Sequence, residues 1–355
     1  MLEDFRKIKE SNWYTNFGPN EAELSKRTAS FISSHVTATT VANATLGLQL
    51  AITELFKKDS LRNKVLVPSF TFAAGPELLI AAGFKPVFID ILPITWQPDH
   101  IKAEGYIKNN IQYISGIFLC NIFGVGNQEV EKWEQLSIKY KIPLIIDSAA
   151  GFGSHYTLAE KIGARGDCEV FSFHATKPFS VGEGGLVMSK NAQTISAIKS
   201  LENFGFESDR MVHRIGTNAK LQEINGAIGL RQLEGFEQRL INRRNTLESY
   251  KRILLPFGFE FQQNDNNSTV PFASILAKSK ISAETLYKKL HVNGVEARRY
   301  YTPLHKQQVI SLKSEIHLDL KLTEEIADRI LSLPVLDNMT DKELQYVTSI
   351  IKDNI

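Results

Sequence analysis

Short apolar runs rich in β-branched residues recur along the chain, and stretches with helical periodicity separate them. The runs are almost continuously apolar, which is typical of parallel strands covered on both faces. The segments 46–58 and 130–141 carry apolar residues at three- and four-residue spacing, as helices do when one face packs on a sheet. This alternation predicts an α/β fold with a mostly parallel sheet flanked by helices. The predicted strands are 36–42, 64–69, 85–90, 116–121, 142–147, 168–173 and 185–189.

The pattern changes in the last part of the chain. Apolar positions recur with helical spacing from Leu221 to about Leu255, which predicts one long helix or two in succession. The stretch 256–269 is rich in turn-forming residues, and strand-like and helical runs alternate again after it. We therefore expect a large domain over 1–255 and a smaller α+β domain over 256–355.

Composition and missing motifs argue against several classes of function. Lys and Arg total 41 against 39 Asp and Glu, a formal net charge of +2, and no long block of one sign suggests a nucleic-acid or membrane surface. The chain has no HExxH, paired CxxC or Walker motif and no GxGxxG that opens a helix. A zinc hydrolase, an ATPase and a nicotinamide enzyme all lose support, and no metal site is expected.

Targeting signals and cysteines give a consistent expectation of the compartment. The first residues contain no apolar stretch of signal-peptide length, and no run reaches the roughly 20 apolar residues of a membrane span. Cys120 and Cys168 each lie in an apolar run, as buried reduced thiols do. We expect a cytoplasmic protein.

One lysine has unusual surroundings. Lys177 follows a predicted buried strand and precedes Gly182, Gly184 and Gly185, which allow unusual dihedral angles or a close approach to a ligand. Most lysines are solvated surface residues, and that is the alternative interpretation here. A lysine held away from water has an amine that can attack a carbonyl group.

An aspartate and an anion site complete a pattern with Lys177. Asp147 ends a predicted strand, where side chains of parallel sheets face the ligand crevice, although it can equally cap a following helix. Ala44 and Thr45 open a predicted helix whose first amides can hold a phosphate, although Thr is also a common N-cap. Ser172 can add a hydroxyl group or be purely structural. Amine, carboxylate and phosphate site together meet the needs of pyridoxal phosphate.

A more specific pattern extends over nearly the whole chain. It comprises NFGPNEAEL (16–24), VANATLGLQLAI (41–52), the segment 67–90, IIDSAAGFGS (145–154), FSFHATKPFSVGEGG (171–185), the segment 216–234, RRYYTPLH (298–305) and LSLPVLDNMTDKEL (331–344). With these motifs in this order the sequence resembles the DegT/DnrJ/StrS-type sugar-nucleotide aminotransferases. The resemblance implies the pyridoxal phosphate-dependent transferase fold type I.

The resemblance assigns roles around the cofactor ring. It implies that Lys177 forms the internal aldimine, that Asp147 pairs with the pyridinium nitrogen and that Phe72 stacks on the ring. The lysine itself argues against the dehydratase branch of the family, in which histidine replaces it.

The resemblance also implies a shared active site. Ala44, Thr45 and Ser172 match the family's phosphate-binding positions. Asn218 matches an asparagine that reaches the phosphate from the neighbouring subunit, so a homodimer is expected.

The reaction implied is transfer of an amino group from L-glutamate to a nucleotide-linked keto sugar. The SFHATK and GEGG forms of the motif resemble the branch that acts at C4 of 4-keto-6-deoxy sugars more than the GDGG branch that acts at C3. We expect dTDP-4-keto-6-deoxyglucose to be converted to the 4-amino-4,6-dideoxy sugar for a surface polysaccharide such as lipopolysaccharide O-antigen. The alternatives are a UDP- or GDP-linked sugar or reaction at C3, another fold type I enzyme such as a lyase, and a non-catalytic regulator.

The sequence indicates the substrate contacts less directly than the cofactor contacts. His174, Glu183, Arg299 and Tyr301 are predicted to contact the sugar or diphosphate, and each has a structural role as its alternative. Two positions depart from the family pattern. Ala150 stands where glutamine or histidine is common, which puts in doubt any substrate contact transferred from relatives that carry glutamine, and Lys220 stands where arginine is common.

Overall fold

The structure, a computed structural model, describes residues 2–355. Its strands are β1 Thr37–Val41, β2 Lys64–Pro68, β3 Lys85–Ile89, β4 Ile114–Cys120, β5 Leu144–Asp147, β6 His155–Thr157, β7 Glu160–Lys161, β8 Cys168–Ser172, β9 Gly185–Ser189, β10 Glu260–Phe261, β11 Phe272–Leu276, β12 Glu315–Ile316 and β13 Ile330–Pro334. Its helices are α1 Leu2–Ser11, α2 Pro19–Ile32, α3 Ala44–Leu55, α4 Ala74–Ala81, α5 His100–Asn110, α6 Val130–Tyr140, α7 Ala192–Leu201, α8 Glu223–Leu233, α9 Phe236–Leu254, α10 Lys280–Val292, α11 Gln308–Ser311, α12 Lys321–Arg329 and α13 Asp341–Lys352.

The main sheet has eight strands in the order β1-β9-β8-β5-β4-β2-β3-β12. Strands β8, β5, β4, β2, β3 and β12 run parallel to one another, whereas β9 is antiparallel to both β1 and β8. Each of the seven strands predicted from the sequence is present, and the prediction of a mostly parallel sheet is confirmed.

The apolar runs form strands because both faces of the sheet are covered. Successive side chains of a strand point to opposite faces. In β4, Ile117 and Leu119 enter one core and Phe118 enters the other. In β5, Ile146 and Ile145 divide in the same way. The two cores explain why alternation of polar and apolar residues is absent from these strands.

The long helical pattern after Leu221 divides into two helices. Helix α8 ends at Leu233, and α9 begins at Phe236. Gly235 between them has φ of +69°, a left-handed conformation that glycine adopts without strain. The sequence predicted either one long helix or two in succession, and the structure has two.

A separate core, in addition to the two that cover the main sheet, lies around the antiparallel sheet β10-β11-β13. Helices α10 and α13 and the second half of α9 cover it, with Tyr250 fully buried. The segment between α10 and α12 returns to the main sheet, where Leu304 and Ile310 join the core and β12 pairs with β3. A boundary near residue 255 stays a prediction. No helix among residues 2–355 is long and apolar enough to cross a membrane.

Candidate active site

Three parallel strands end side by side at one edge of the main sheet. β4 ends at Cys120, which lies directly opposite Asp147 at the end of β5. β8 continues past Asp147 to Ser172 and leads into the hairpin that carries Lys177. Because the carboxyl ends of parallel strands form the ligand crevice in such sheets, this edge is the candidate site.

Backbone hydrogen bonds fix the hairpin on which Lys177 lies. The amide of Phe173 donates to the carbonyl of Gly184 at 2.8 Å, and the amide of Ala175 donates to the carbonyl of Gly182 at 2.8 Å. The amide of Lys177 itself donates to His174 at 2.9 Å. The Lys177 side chain therefore projects from a hairpin that continues the pairing of β8 with β9.

Lys177 and Asp147 interact electrostatically at this edge of the sheet. Burial lowers the pKa of Lys177, and the negative charge of Asp147 opposes that change. Burial raises the pKa of Asp147 to about 6, opposed by a hydrogen bond from the amide of Ala149 at 2.9 Å and by the charge of Lys177. Each side chain is thus close enough to change the ionisation of the other.

The capping alternative for Asp147 is wrong. A turn, and no helix, follows β5, and the Asp147 carboxylate accepts the amide two residues further along. Its remaining oxygen is free to bind a group in the crevice, where the side chain is 4% exposed.

The start of α3 lies against β9 and forms the candidate anion site. Asn43 is the N-cap and accepts the amide of Leu46 at 2.9 Å, so Thr45 is not the cap. The amides of Ala44 and Thr45 lie in the first turn, where no carbonyl group one turn earlier can bind them. A Cβ atom on Gly185 would lie 2.7 Å from the Ala44 nitrogen, so this close approach requires glycine.

Ser172 lies beside the same helix start. It is the cross-strand partner of Gly185, and its hydroxyl accepts the amide of His174 at 3.2 Å. The side chain is 9% exposed. The amides at the start of α3 and the Ser172 hydroxyl, which are predicted to bind the phosphate, therefore lie on either side of Gly185.

Aromatic rings also lie at this edge of the sheet. The Phe72 ring is 59% exposed, and its centroid lies 6.0 Å from that of Tyr301. Tyr301 stacks on Phe123 at 5.7 Å. Burial raises the pKa of Tyr301, and neighbouring groups that include Asp147 raise it further, so this hydroxyl lies near Asp147.

Sequence reasoning missed Cys120 as a site residue. Its thiol interacts with Asp147 and Lys177, and burial raises its pKa, which keeps it a neutral thiol. The signal was present in the sequence, because Cys120 ends a predicted strand next to the one that Asp147 ends.

A clasp formed by Ser69, His305 and Glu324 fastens the segment that carries Tyr301. The His305 ring hydrogen-bonds the Ser69 hydroxyl at 2.7 Å and Glu324 at 3.0 Å, and its amide donates to the same hydroxyl at 3.1 Å. Ser69 lies three residues before Phe72. The clasp therefore holds the Phe72 and Tyr301 segments together.

A buried polar network supports the strand ends from beneath. Fully buried Glu169 accepts hydrogen bonds from the Ser148 hydroxyl and the Arg165 amide, each at 2.8 Å. Asn121 donates to the same Ser148 hydroxyl at 2.8 Å. Ser148 and Asn121 directly follow Asp147 and Cys120, so the network fixes both strand ends. Burial raises the pKa of Glu169 to about 7.

Two predicted substrate contacts lie on the Lys177 hairpin. The His174 ring hydrogen-bonds Thr176 at 2.9 Å and lies 3.6 Å from the Glu183 carboxylate. Glu183 is 62% exposed, and its backbone carbonyl accepts Asn225 at 2.6 Å. The two side chains lie next to each other on this hairpin and are accessible to solvent.

The other predicted residues have partners elsewhere in the fold. The Arg299 guanidinium donates to the carbonyls of Ala327 and Asp328, at 3.1 and 2.6 Å, at the end of α12. These contacts match its structural alternative. Asn218 is exposed, and its side-chain oxygen accepts the amine of Lys220 at 2.7 Å.

Comparison with known proteins identifies the group to which this arrangement belongs. The profile of the DegT/DnrJ/EryC1/StrS aminotransferase family matches residues 1–352. The chain belongs to this family. It is a pyridoxal phosphate-dependent sugar aminotransferase, a transferase of fold type I.

Relatives match nearly the whole length of the aminotransferase. Protein MT3510 of Mycobacterium tuberculosis (strain CDC 1551 / Oshkosh) is 40% identical over 356 residues, which cover 99% of this chain and 86% of the relative. The dTDP-4-amino-4,6-dideoxy-D-glucose transaminase of Shigella dysenteriae is 30% identical over 368 residues, 99% of this chain and 96% of the relative. The solved structure of DesI in the presence of its TDP-sugar product has a TM-score of 0.88 at 28% identity, covering 99% of this chain and 88% of that one. The predicted family, fold class and cofactor are confirmed.

Proposed function

We propose that the protein transfers the amino group of L-glutamate to dTDP-4-keto-6-deoxyglucose in the cytoplasm, and that the 4-amino-4,6-dideoxy product enters a surface polysaccharide such as O-antigen. The observation that carries the proposal is the electrostatic interaction of Lys177 with buried Asp147 at the carboxyl ends of adjacent parallel strands. The name of the Shigella relative supports this nucleotide and sugar. A UDP-4-amino-4,6-dideoxy-N-acetyl-beta-L-altrosamine transaminase of Campylobacter jejuni and the GDP-perosamine synthase of Escherichia coli O157:H7 support the alternative nucleotides.

The residues of the crevice fit pyridoxal phosphate along its length. Lys177 would bind its aldehyde carbon, Asp147 its pyridine nitrogen and Phe72 one face of its ring. The amides of α3 and the Ser172 hydroxyl would bind its phosphate, since the close approach of Gly185 places them beside each other. When bound, the cofactor supplies an electron sink for the carbanion at the reacting carbon.

The surroundings of Lys177 suit an amine that moves protons. Burial lowers its pKa, which increases the fraction of unprotonated amine at neutral pH. In this proposal the amino donor would displace Lys177 from the cofactor, and the freed amine would take the α-proton of the donor and deliver a proton to the former aldehyde carbon of the cofactor; the same steps would run in reverse on the keto sugar. A protonated pyridine nitrogen next to Asp147 would stabilise the ionised carboxylate. The ionised carboxylate would in turn hold the proton on that nitrogen.

A homodimer with shared active sites is part of the proposal. Large apolar side chains are exposed on the segment that leads to Asn218, namely Phe204 at 47%, Met211 at 63% and Ile215 at 87%. Exposed apolar groups close together are typical of a surface that a partner covers. A second copy of the chain would bury them and bring Asn218 to the partner's phosphate site.

Mixed dimers test this arrangement. Lys177→Ala and Asn218→Ala proteins are each expected to be inactive, and a heterodimer of the two has one site in which both residues are intact. Random exchange of subunits should therefore restore about a quarter of the wild-type sites. Mixtures that stay inactive although heterodimers form would contradict shared sites.

Substrate contacts stay predictions. His174 and Glu183 on the Lys177 hairpin, and the Tyr301 hydroxyl near Asp147, are in position to meet a sugar or diphosphate. Arg299 has the least support, because the end of α12 occupies its guanidinium. Ala150 leaves only a methyl group where relatives place a longer polar side chain, while its carbonyl accepts Thr269 at 2.6 Å.

A panel of keto-sugar nucleotides distinguishes the alternatives. Enzyme carrying pyridoxamine phosphate is mixed with dTDP-, UDP- and GDP-linked 4-keto and 3-keto sugars, and return of the lysine-bound cofactor absorbance is followed. We expect dTDP-4-keto-6-deoxyglucose to react fastest, with Lys177→Ala as the control that cannot restore this absorbance. Irreversible reaction with an amino acid and none with any sugar would favour a lyase, and absence of bound cofactor would favour a regulator.

A further inference from the structure

Two short segments pair near the start of α3 and bring two asparagines together. Asn203 and Asn218 lie opposite each other in an antiparallel bridge. The amide of Ala219 donates to the carbonyl of Glu202 at 2.9 Å, and the carbonyl of Ala219 accepts the amide of Ala42 at 2.6 Å. Since Ala42 follows β1 directly, this pair is fixed to the edge of the main sheet.

Lys220 joins the two asparagine side chains. Its amine donates to the oxygen of Asn218 at 2.7 Å and to the oxygen of Asn203 at 3.0 Å. An ammonium group has three donors and no acceptor, so only the oxygen of each amide can face it. The NH2 group of Asn218 must then point away from Lys220, where it is free to donate to an anion.

The nearby buried carboxyl group does not neutralise Lys220. Glu202 is 0% exposed and hydrogen-bonded to the Thr39 hydroxyl at 3.2 Å. Burial, and then the charge of Glu21, raise the pKa of Glu202 to about 9, which favours its neutral form. The positive charge of Lys220 is therefore available to a phosphate group close to Asn218.

We propose that Lys220 is a positioning residue that holds the Asn218 amide with its NH2 group turned outward, as a donor to the cofactor phosphate. The inference rests on the proposed function, in which Asn218 serves the phosphate site of the partner subunit. A free asparagine amide rotates between two orientations, and only one of them presents a donor to an anion. The hydrogen bond from Lys220 disfavours the orientation in which the Asn218 oxygen would face the phosphate.

The test compares binding of pyridoxal phosphate with binding of pyridoxal, which lacks the phosphate. The full-length apoenzyme is titrated with each compound and followed by absorbance. Lys220→Met should weaken binding of pyridoxal phosphate by about 10-fold or more, in line with a hydrogen bond to a charged group, and leave pyridoxal unchanged. Arginine, like lysine, can only donate hydrogen bonds, so Lys220→Arg should retain most of the wild-type affinity for pyridoxal phosphate.

A matched control and a double variant make the result specific. Lys199 also interacts with Glu202, but its amine lies over the Phe17 ring at 4.6 Å, so Lys199→Met should bind pyridoxal phosphate as wild type does. Lys220→Met combined with Asn218→Ala should be no weaker than Asn218→Ala alone, because both changes remove the same contact.

The outcomes separate this inference from the proposed function. Normal phosphate-dependent binding by Lys220→Met, with weakened binding by Asn218→Ala, would overturn the inference and leave the proposed function intact. Equal loss of pyridoxal and pyridoxal phosphate binding by Lys220→Met would also overturn it, because a general structural defect explains that result. Wild-type protein that fails to bind pyridoxal phosphate would overturn the proposed function itself.

Discussion

Gly185→Ala tests whether the close approach of β9 to α3 builds the anion site. The new Cβ atom would lie 2.7 Å from the Ala44 nitrogen and 2.8 Å from the Asn43 carbonyl carbon. Both are backbone atoms that no side-chain rotation can move, so the start of α3 must shift. We expect the unfolding free energy to fall by about 1–3 kcal/mol, the usual cost of overpacking an interior. A shifted amide also loses a charge-assisted bond to phosphate of about 1.5–3 kcal/mol, so affinity for pyridoxal phosphate should fall at least about tenfold.

Urea unfolding of the apoenzyme and absorbance titration with the cofactor measure the two effects. Gly105→Ala is the matched control, because a Cβ atom there has no neighbouring atom within 4 Å and the residue lies inside α5. It should raise stability by about 0.5–1 kcal/mol and leave cofactor affinity unchanged. If Gly185→Ala equals wild type in both measurements, the argument from close approach is refuted.

Further predictions concern the amine, the carboxylates and the clasp. Lys177→Ala should abolish amino transfer and the lysine-bound absorbance together; transfer at a near-normal rate would contradict the assignment. Asp147→Asn should lower kcat by about 100-fold or more in steady-state assays, because the carboxylate stabilises developing charge. Burial raises the pKa of Glu169 from its ordinary 4.5 to about 7, so the folded state binds this proton more tightly. The unfolding free energy of wild type, measured with urea, should therefore fall relative to that of Glu169→Gln as pH rises from 4.5 to 7. His305→Ala should lower the unfolding free energy by about 1–3 kcal/mol, because the buried Ser69 hydroxyl loses the imidazole and keeps only the backbone amide of residue 305; an unchanged melting temperature would contradict the clasp.

The meeting of Lys177 and Asp147 could be predicted because it depends on regular structure. Buried runs fix the strands, parallel strands place their carboxyl ends at one edge, and both residues follow such ends. The same logic applied to the strand that ends at Cys120 would have found the thiol. The start of a predicted helix indicated Ala44 and Thr45 as a phosphate site, whereas the family resemblance alone suggested Phe72 and Asn218.

Contacts between distant segments could not be predicted in this way. Tyr301 reaches the site through irregular backbone, held by a hydrogen bond between Ser69 and His305 that has no local signal in the sequence. Arg299 donates hydrogen bonds to backbone carbonyls at the end of α12, contacts that no local pattern in the sequence indicates. Strand β12 has only two residues, too few for a recognisable pattern, yet it extends the main sheet.

The position of β12 in the chain has a consequence for biosynthesis. It covers the edge of β3, and Glu315 within it binds the amines of Lys64 and Lys85 at 2.7 and 2.8 Å. A ribosome synthesises residues 1–314 before it reaches this strand, and until the strand emerges the open edge of β3 can pair with another nascent chain. Premature termination upstream of Glu315 should therefore yield aggregates rather than an independently folded large unit.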